Sequence, residues 1–443
     1  MYRTNRQHPR LTGRRRAASL TVAVLVVGLV AASCGSDDDA SDATDAAGSA
    51  APADTTAGTT GSTDAPAGTD TTAGTTGSTD APVGTDEPAG TDATTGTDAP
   101  VGTGSGDEPL LATVDPERCA ANREAGTITY LSGFDFAAAA SIIDVVVAEQ
   151  SGYFDDLCLD VELKPSFATA NYTLVGSDQA QFASAGNYTE ILNFSGEGAE
   201  FVAFVDYGKT PIEALITPDG GATELSQLEG KTIGVKGDIP PSIVAMLAKA
   251  GLARGTDYQE VLLDGFDPQA HLATGIDALP VFKSNEPGQL DAAGVKYNLF
   301  DPVDSDIPGT FGLLYTSKGF YDEHQTAAED FARASLKGME DAIADPEAAV
   351  DMSVDMIDAA GNTNFLTKEG ELFRWQAELA EVQKGTPEGE PVGLIDPALF
   401  AAEYAAYVAA GVWPDGPPED TSPFVADLAG SLYGADGKVI WPA

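Results

Sequence analysis

From residue 127 onward, short β-like runs take turns with longer stretches of helical periodicity, and this alternation restricts the fold more than any other feature of the chain. "TITYLS" (127–132) precedes "AAAASIIDVVVAEQSGYF" (137–154), and "LDVELKP" (159–165) follows. "AQFASAG" (180–186) leads into a predicted helix at 187–195, then "EFVAFVDY" (200–207) and "EALITP" (213–218). "KTIGVKG" (231–237) leads into "PPSIVAMLAKAGL" (240–252). "YQEVLLD" (258–264), "DALPVF" (277–282), "KYNLFD" (296–301) and "FGLLYTS" (311–317) complete the strands. Strands separated by helices predict α/β sheets with mainly parallel strands. Beyond residue 320 the pattern is helical, at 322–344, 346–360, 367–384 and 396–411, and Asp345-Pro346 and Asp396-Pro397 mark helix starts. The span 110–443 is long enough for two lobes.

Upstream the composition changes abruptly. Residues 35–109 contain no Lys, Arg or aromatic residue, and "DTTAGTTGSTDAP" occurs at 54–66 and again at 70–82. The repeat has no apolar face to stack, so a solenoid is excluded. Such a segment cannot bury enough apolar surface to offset its ordering entropy; it is expected to be a disordered tether, extended by its own acids.

The first 33 residues carry six arginines and no acid, and Leu20 to Ala32 is nearly all apolar or small. This is a basic segment ahead of an apolar run too short to span a bilayer comfortably, the pattern of a signal peptide. Arg14-Arg15-Arg16 also fits a twin-arginine export signal, although a plain basic run suffices. Ala31-Ala32-Ser33-Cys34 resembles the bacterial lipobox, with Cys34 as the lipidated first residue of the mature protein; an ordinary cleavage nearby is the other reading. More than one acyl chain would make that anchor firm. The expected divisions are a signal peptide at 1–33, a lipidated terminus and tether at 34–109, and a binding domain at 110–443. Export leaves two cysteines, Cys119 and Cys158, either free or joined in a disulfide worth about 3–4 kcal/mol for a loop of this size.

The chain holds 23 basic and 69 acidic residues, a net charge of −46. Its surface repels nucleic acid and anionic headgroups, and an anionic ligand would need a locally arranged site.

"VVVAEQSGYFDDLCLDVELKP" resembles the opening of bacterial ABC-transporter solute-binding proteins of the sulfonate, nitrate and thiamine-precursor type. In that family a helix ends in Gly-Tyr-Phe and a Gly-Leu-Asp-Val-like strand follows; here Cys158 stands at the glycine position. "DQAQFASAG" (178–186), "LSQLEGKTIGV" (225–235), "SNEPGQLDAAGV" (284–295) and "AIADPEAAVDM" (342–352) extend the likeness, and "NEP" resembles the branch handling thiamine pyrimidine precursors or riboflavin. The resemblance implies a two-lobed periplasmic-binding-protein-like fold of type II, with a hinge and an interlobe cleft. One lobe would hold about 125–215 and 315–443, the other about 216–314. It also implies an extracytoplasmic monomer, held to the outer face of the cell membrane by its lipid, that passes a small molecule to an ABC permease.

In open α/β sheets ligands lie beyond the carboxyl ends of strands, which directs attention to the loops there. After the first strand come Phe134, Asp135 and Phe136, two rings around a carboxylate that suit a flat heterocycle, unless the rings are simple core. After 180–186 come Ser184, Gly186 and Asn187, where a helix start offers backbone donors; a plain helix cap is the alternative. The second lobe offers Asp238, Ser242, Asn285 and Glu286, the last either a ligand acceptor or a helix-start acid, and the crossover offers Tyr207. Lys209 and Lys236 are the nearby cations. Acidic and aromatic candidates point to a thiamine pyrimidine precursor or riboflavin-like heteroaromatic, with aliphatic sulfonate, taurine or nitrate as the alternative ligand.

Enzymes that make the thiamine pyrimidine on a similar fold carry a cysteine cluster that this chain lacks, and no serine elbow, zinc spacing or phosphate loop is present. The expectation is a binder, not an enzyme, with no cofactor and no nucleic-acid partner.

Overall fold

The computed structural model describes residues 114–195, 199–361, 366–387 and 389–442. The signal segment, Cys34 and the expected tether lie outside them. The first helix, α1 (Pro116–Glu124), starts on Asp115, whose carboxylate accepts from the N–H groups of Glu117 and Arg118. There follow β1 (Thr127–Leu131), α2 (Ile143–Gln150), α3 (Tyr153–Asp156), β2 (Asp160–Lys164), α4 (Ala168–Gly176), β3 (Phe182–Ala185), α5 (Tyr188–Ser195) and β4 (Phe201–Gly208). The next group is β5 (Glu213–Pro218), β6 (Lys231–Val235), α6 (Pro241–Lys249), β7 (Tyr258–Leu262), α7 (Pro268–Ala273), β8 (Leu279–Phe282), α8 (Glu286–Ala292) and β9 (Tyr297–Phe300). The chain returns through β10 (Phe311–Ser317) and ends in α9 (Lys318–Glu323), α10 (Gln325–Ala344), α11 (Pro346–Ala360), α12 (Lys368–Gly385), α13 (Pro397–Ala409) and α14 (Leu428–Ser431).

Two sheets result, one per lobe. The first has the order β2-β1-β3-β10-β4. In the second, β8-β5-β9 and the pair β6-β7 are joined where Ile233 bridges Ala278 and Gly234 N–H donates to the Ala278 carbonyl at 2.9 Å. The chain passes between the sheets twice, through 209–212 and 301–310. The pairs β1/β2, β1/β3 and β6/β7 are parallel. The expectation of mainly parallel sheets needs correction at β5 and β10, which are antiparallel to the neighbours they pair with. These are the strands that open each lobe after a crossover, so they enter their sheets from the hinge side.

Apolar side chains line both faces of the first sheet. One face packs Tyr130, Phe182 and Phe204 against α2 and α10, and the other packs Leu131, Ala183 and Tyr315 against Tyr172 of α4 and Tyr188 of α5. The edge strand β4 is buried along its length because Pro423 and Val425 hydrogen-bond to Ala203 and cover it. The α13 helix belongs to both lobes. Phe400 stacks on Tyr188 at 3.9 Å in the first, while Tyr407 lies in the core of the second and donates to the Pro308 carbonyl at 3.1 Å. Cys119 and Cys158 are joined in a disulfide with Cα atoms 5.3 Å apart, fixing α1 to the start of β2.

Two predicted helices are shorter than their pattern. The one read over 137–154 begins at Ile143, because Ser141 is left-handed (φ 66°) and the alanines before it bond elsewhere. The one read over 322–344 divides at His324 into α9 and α10.

Candidate functional site

The loops beyond the carboxyl ends of β1, β2 and β3 face loops of the second sheet. The 132–141 loop after β1 is held in an irregular path. Asp135 takes a positive φ of 48° and its carboxylate accepts from the Phe136 N–H at 2.8 Å. Its own N–H donates to the Ser166 carbonyl, and Ala168 N–H donates to the Gly133 carbonyl. This path turns the two phenylalanines apart. Phe134 meets Phe167 edge-on at 5.7 Å and, across the lobes, Phe266 at 6.4 Å. Phe167 and Phe266 are each 51% exposed, large apolar rings at the mouth between the lobes. The Arg374 guanidinium, from α12, lies 5.8 Å from the Phe134 ring centre, within cation–π range. Phe136 does not join them. It is buried against Ile142, Val146, Ile357 and Leu366, the simple-core reading of that residue.

Beyond β3, Asn187 caps α5 by accepting from the Glu190 N–H at 3.0 Å, and its amide donates to Glu213 at 3.4 Å. Gly186 N–H donates to Glu190 Oε2 at 3.0 Å, and the same oxygen accepts from the Tyr172 hydroxyl. Thr189 N–H and hydroxyl both donate to Glu403 Oε1. The donors of this helix start are therefore answered by the chain's own acceptors. The Ser184 hydroxyl is buried within reach of the Tyr130 hydroxyl and beside Gly133, where an added Cβ would lie 2.8 Å from it. Glycine permits that approach of the two loops.

Across the gap, Ser242 donates to Glu213 Oε2 at 3.0 Å. Glu286 is fully buried; it accepts from the Phe282 N–H at 2.9 Å and pairs with Lys236. Asn285 accepts from Arg374 Nη2 at 3.1 Å. Tyr207 and Asp238 lie elsewhere. Tyr207 is buried in the first lobe and donates to Asp144 at 2.7 Å; Asp238 is exposed and paired with Arg254 at 2.8 Å. Lys209 is occupied by Asp206, and His271 Nε2 by the Asp264 carbonyl.

The α12 helix carries side chains at the junction of the lobes that the sequence reading missed. Glu371, Arg374, Glu378 and Glu381 recur at spacings of three, four and three, and so share one face. Ala138 N–H donates to Glu371 Oε2 at 2.7 Å, and Ala140 N–H to Glu378 Oε2 at 2.6 Å. Glu378 also accepts from Ser284 at 3.0 Å, and Lys283 bridges Glu381 and Asp301, each at 3.0 Å. One helix thus grips the 132–141 loop of one lobe and the 283–285 turn of the other. Burial pushes the Glu378 carboxyl up to about 7, against the opposing pull of the Ala140 N–H and Arg374. Burial raises Glu190 and Glu213 as well. The helix itself was legible at 367–384, but the acids on its inner face gave no sign of the loops they hold, since those contacts are distant in sequence.

Two cavities open away from these loops. One of about 550 Å³ lies beside the first crossover, between Lys209, Lys384 and Asp396. One of about 1070 Å³ lies at the opposite end of the first sheet, between Asp178, Glu200, Lys318 and Phe424. At the mouth itself the lobes touch through Phe134 and Phe266.

Residues 139–349 match the family model NMT1/THI5 like. The riboflavin-binding protein RibY of Chloroflexus aurantiacus is 29% identical over 192 residues, which cover 42% of this chain and 54% of that protein. The chain therefore spans about half the length of that curated relative. Among solved structures, a protein of Bordetella bronchiseptica RB50 matches with a TM-score of 0.51 at 18% identity, covering 69% of this chain and 96% of that one. The periplasmic sulfonate-binding protein SsuA of Methylobacillus flagellatus KT matches with a TM-score of 0.51 at 15% identity, over 69% and 93%. At these identities the structures speak to the fold alone. Residues 139–349, from within the loop after β1 to the start of α11, thus resemble the NMT1/THI5-like family, and the fold is the two-lobed frame that these solved structures share.

Proposed function

We propose that this protein is the extracytoplasmic solute-binding component of an ABC importer, and that it captures a small flat heteroaromatic of the thiamine-pyrimidine-precursor or riboflavin type without transforming it. The observation that carries the reading is the ring cluster at the mouth, where Phe134 and Phe167 on one lobe face Phe266 on the other. Stacked or edge-on rings recognise a planar solute in large part through its faces. Asn285, Ser184 and Ser242, in loops at the facing ends of the two sheets, would supply polar selectivity. The matching relative's name, riboflavin-binding protein, agrees with this ligand class. In this reading residues 110–443 form the binding domain, the two sheets are its lobes, and the solute lies between them until a membrane permease takes it. Cys34 would carry the lipid that holds the monomer to the outer face of the membrane.

Calorimetry and thermal unfolding of the purified chain with riboflavin, hydroxymethyl-aminopyrimidine, taurine and nitrate test the ligand class. A bound solute at a hundredfold excess over its Kd adds about 2.7 kcal/mol of stability. Stabilisation by riboflavin or the pyrimidine is expected. Stabilisation by taurine or nitrate alone would keep the solute-binding role and discard the heteroaromatic; conversion of any probe, seen by mass spectrometry, would discard the role itself. Cys34→Ser is expected to release the protein from membranes, and retention would remove the anchor.

A further inference from the structure

We propose that the cleft admits uncharged or cationic solutes and turns away their phosphorylated or sulfonated forms, with Glu190 and Glu378 as the residues that set this selection. The inference rests on the solute-binding reading above and narrows it. Backbone N–H groups at helix starts beyond the carboxyl ends of strands are the usual holders of an anionic group. Here several of the backbone donors at the facing ends of the strands are already taken. Gly186 N–H is held by Glu190, Thr189 N–H by Glu403, Ala138 N–H by Glu371, Ala140 N–H by Glu378 and Phe282 N–H by Glu286. The nearby cations are equally engaged: Lys236 pairs with Glu286, and Arg374 with Glu371 and Asn285. An incoming phosphate or sulfonate would have to displace a carboxyl group from its backbone donor or sit beside one, and above the value of about 7 to which burial pushes Glu378 the like charges repel at contact range.

A second observation points to what the cleft accepts instead. The Ser184 hydroxyl, 2% exposed, lies beside the Tyr130 hydroxyl and stands at the carboxyl end of β3 against Gly133, in the loop that carries Phe134. A hydroxyl serves a carbonyl, amino or ring-nitrogen group and brings no charge. Glu378 is the stricter of the two gates, because it touches both lobes at once, through Ala140 N–H and the Ser284 hydroxyl. An anion cannot open one of its bonds without loosening the other.

The test is calorimetric titration of the purified full chain with two matched pairs: riboflavin and riboflavin monophosphate, and hydroxymethyl-aminopyrimidine and its phosphate. In at least one pair the free solute is expected to bind about tenfold or more tightly than the phosphate ester. Glu190→Gln and Glu378→Gln keep an acceptor oxygen for the backbone donor but remove the charge. Each is expected to narrow that ratio about threefold or more by tightening the ester, with cooperative thermal unfolding retained. Equal or tighter binding of the ester by the unaltered protein overturns the selection while leaving solute capture intact. An unchanged ratio in both variants overturns the assignment to these residues. Failure of both pairs to bind removes the heteroaromatic reading, and this inference with it.

Discussion

Phe134 and Phe136 are two residues apart and have different fates. A strand would send both to the same face, but the left-handed Asp135 between them breaks that period. It leaves Phe134 facing Phe266 and Phe136 in the core. Phe266→Ala and Phe134→Ala are therefore expected to weaken riboflavin binding about three- to tenfold, the loss of one aromatic contact, with little change in melting. Phe136→Ala is expected to cost about 3–5 kcal/mol of stability instead. Calorimetry and denaturant unfolding separate the two outcomes, and a binding loss confined to Phe136→Ala would reverse them. That Phe134 and Phe136 matter was legible in the sequence, but which of them faces a solute was not, because a single backbone angle decides it. Phe167 and Phe266 escaped notice because an exposed phenylalanine in a loop carries no periodicity. Glu286 was marked as ligand acceptor or helix-start acid, and its fully buried contacts with Phe282 N–H and Lys236 fit the second description. Buried acids supply a further residue-scale prediction. Burial pushes Glu403 up to about 8, Asp144 to about 7 and Asp206 to about 6. An acid raised in the folded state binds its proton more tightly there than in the unfolded chain. Its contribution to stability is thus full below the ordinary carboxyl range and is lost as pH rises through the folded value. The melting temperature is expected to fall between pH 5 and pH 8, and Glu403→Gln to flatten the upper part of that fall. A midpoint that rises over this window would contradict the assignment.

Among the elements, α12 ties the two lobes together most directly. Its acids hold the N–H groups of the 132–141 loop, and Lys283 of the second lobe reaches Glu381 and Asp301 while Thr210 also donates to Glu381. Lys283 is little exposed, so its pairs are screened less than surface ones. Lys283→Met leaves Glu381 with Lys384 and Thr210 but frees the second lobe from this contact. It is expected to weaken solute binding several-fold by favouring separated lobes, measured as a faster off-rate; an unchanged off-rate would mean that α12 does not hold the lobes together. The strands and the C-terminal helices were visible in the sequence, since hydrophobic runs and Asp-Pro starts are local signals. The irregular start of α2 was not. The alanines at 137–140 favour helix by propensity, and only carboxylates more than 230 residues away divert two of their N–H groups.

For the molecule as a whole, the alternation of elements and the family-like motifs announced the two-lobed frame, because every connection between strands is short enough to read. The antiparallel entry of β5 and β10 was hidden, since it depends on which sheet receives a crossing strand. A chain with a net charge of −46 that still fills its cleft donors with its own acids is poorly disposed to anionic solutes at close range as well as at distance. The arrangement of α13 has a mechanical outcome. Phe400 and Tyr407 are two turns apart, about 10 Å along the axis, and each is rooted in a different core. Sliding one lobe past the other would tear out one root, whereas swinging about a line close to this helix strains neither. The jaw should therefore pivot like a shear on its rivet, with the smallest displacement at α13 and the widest sweep at the tips that carry Phe167 and Phe266.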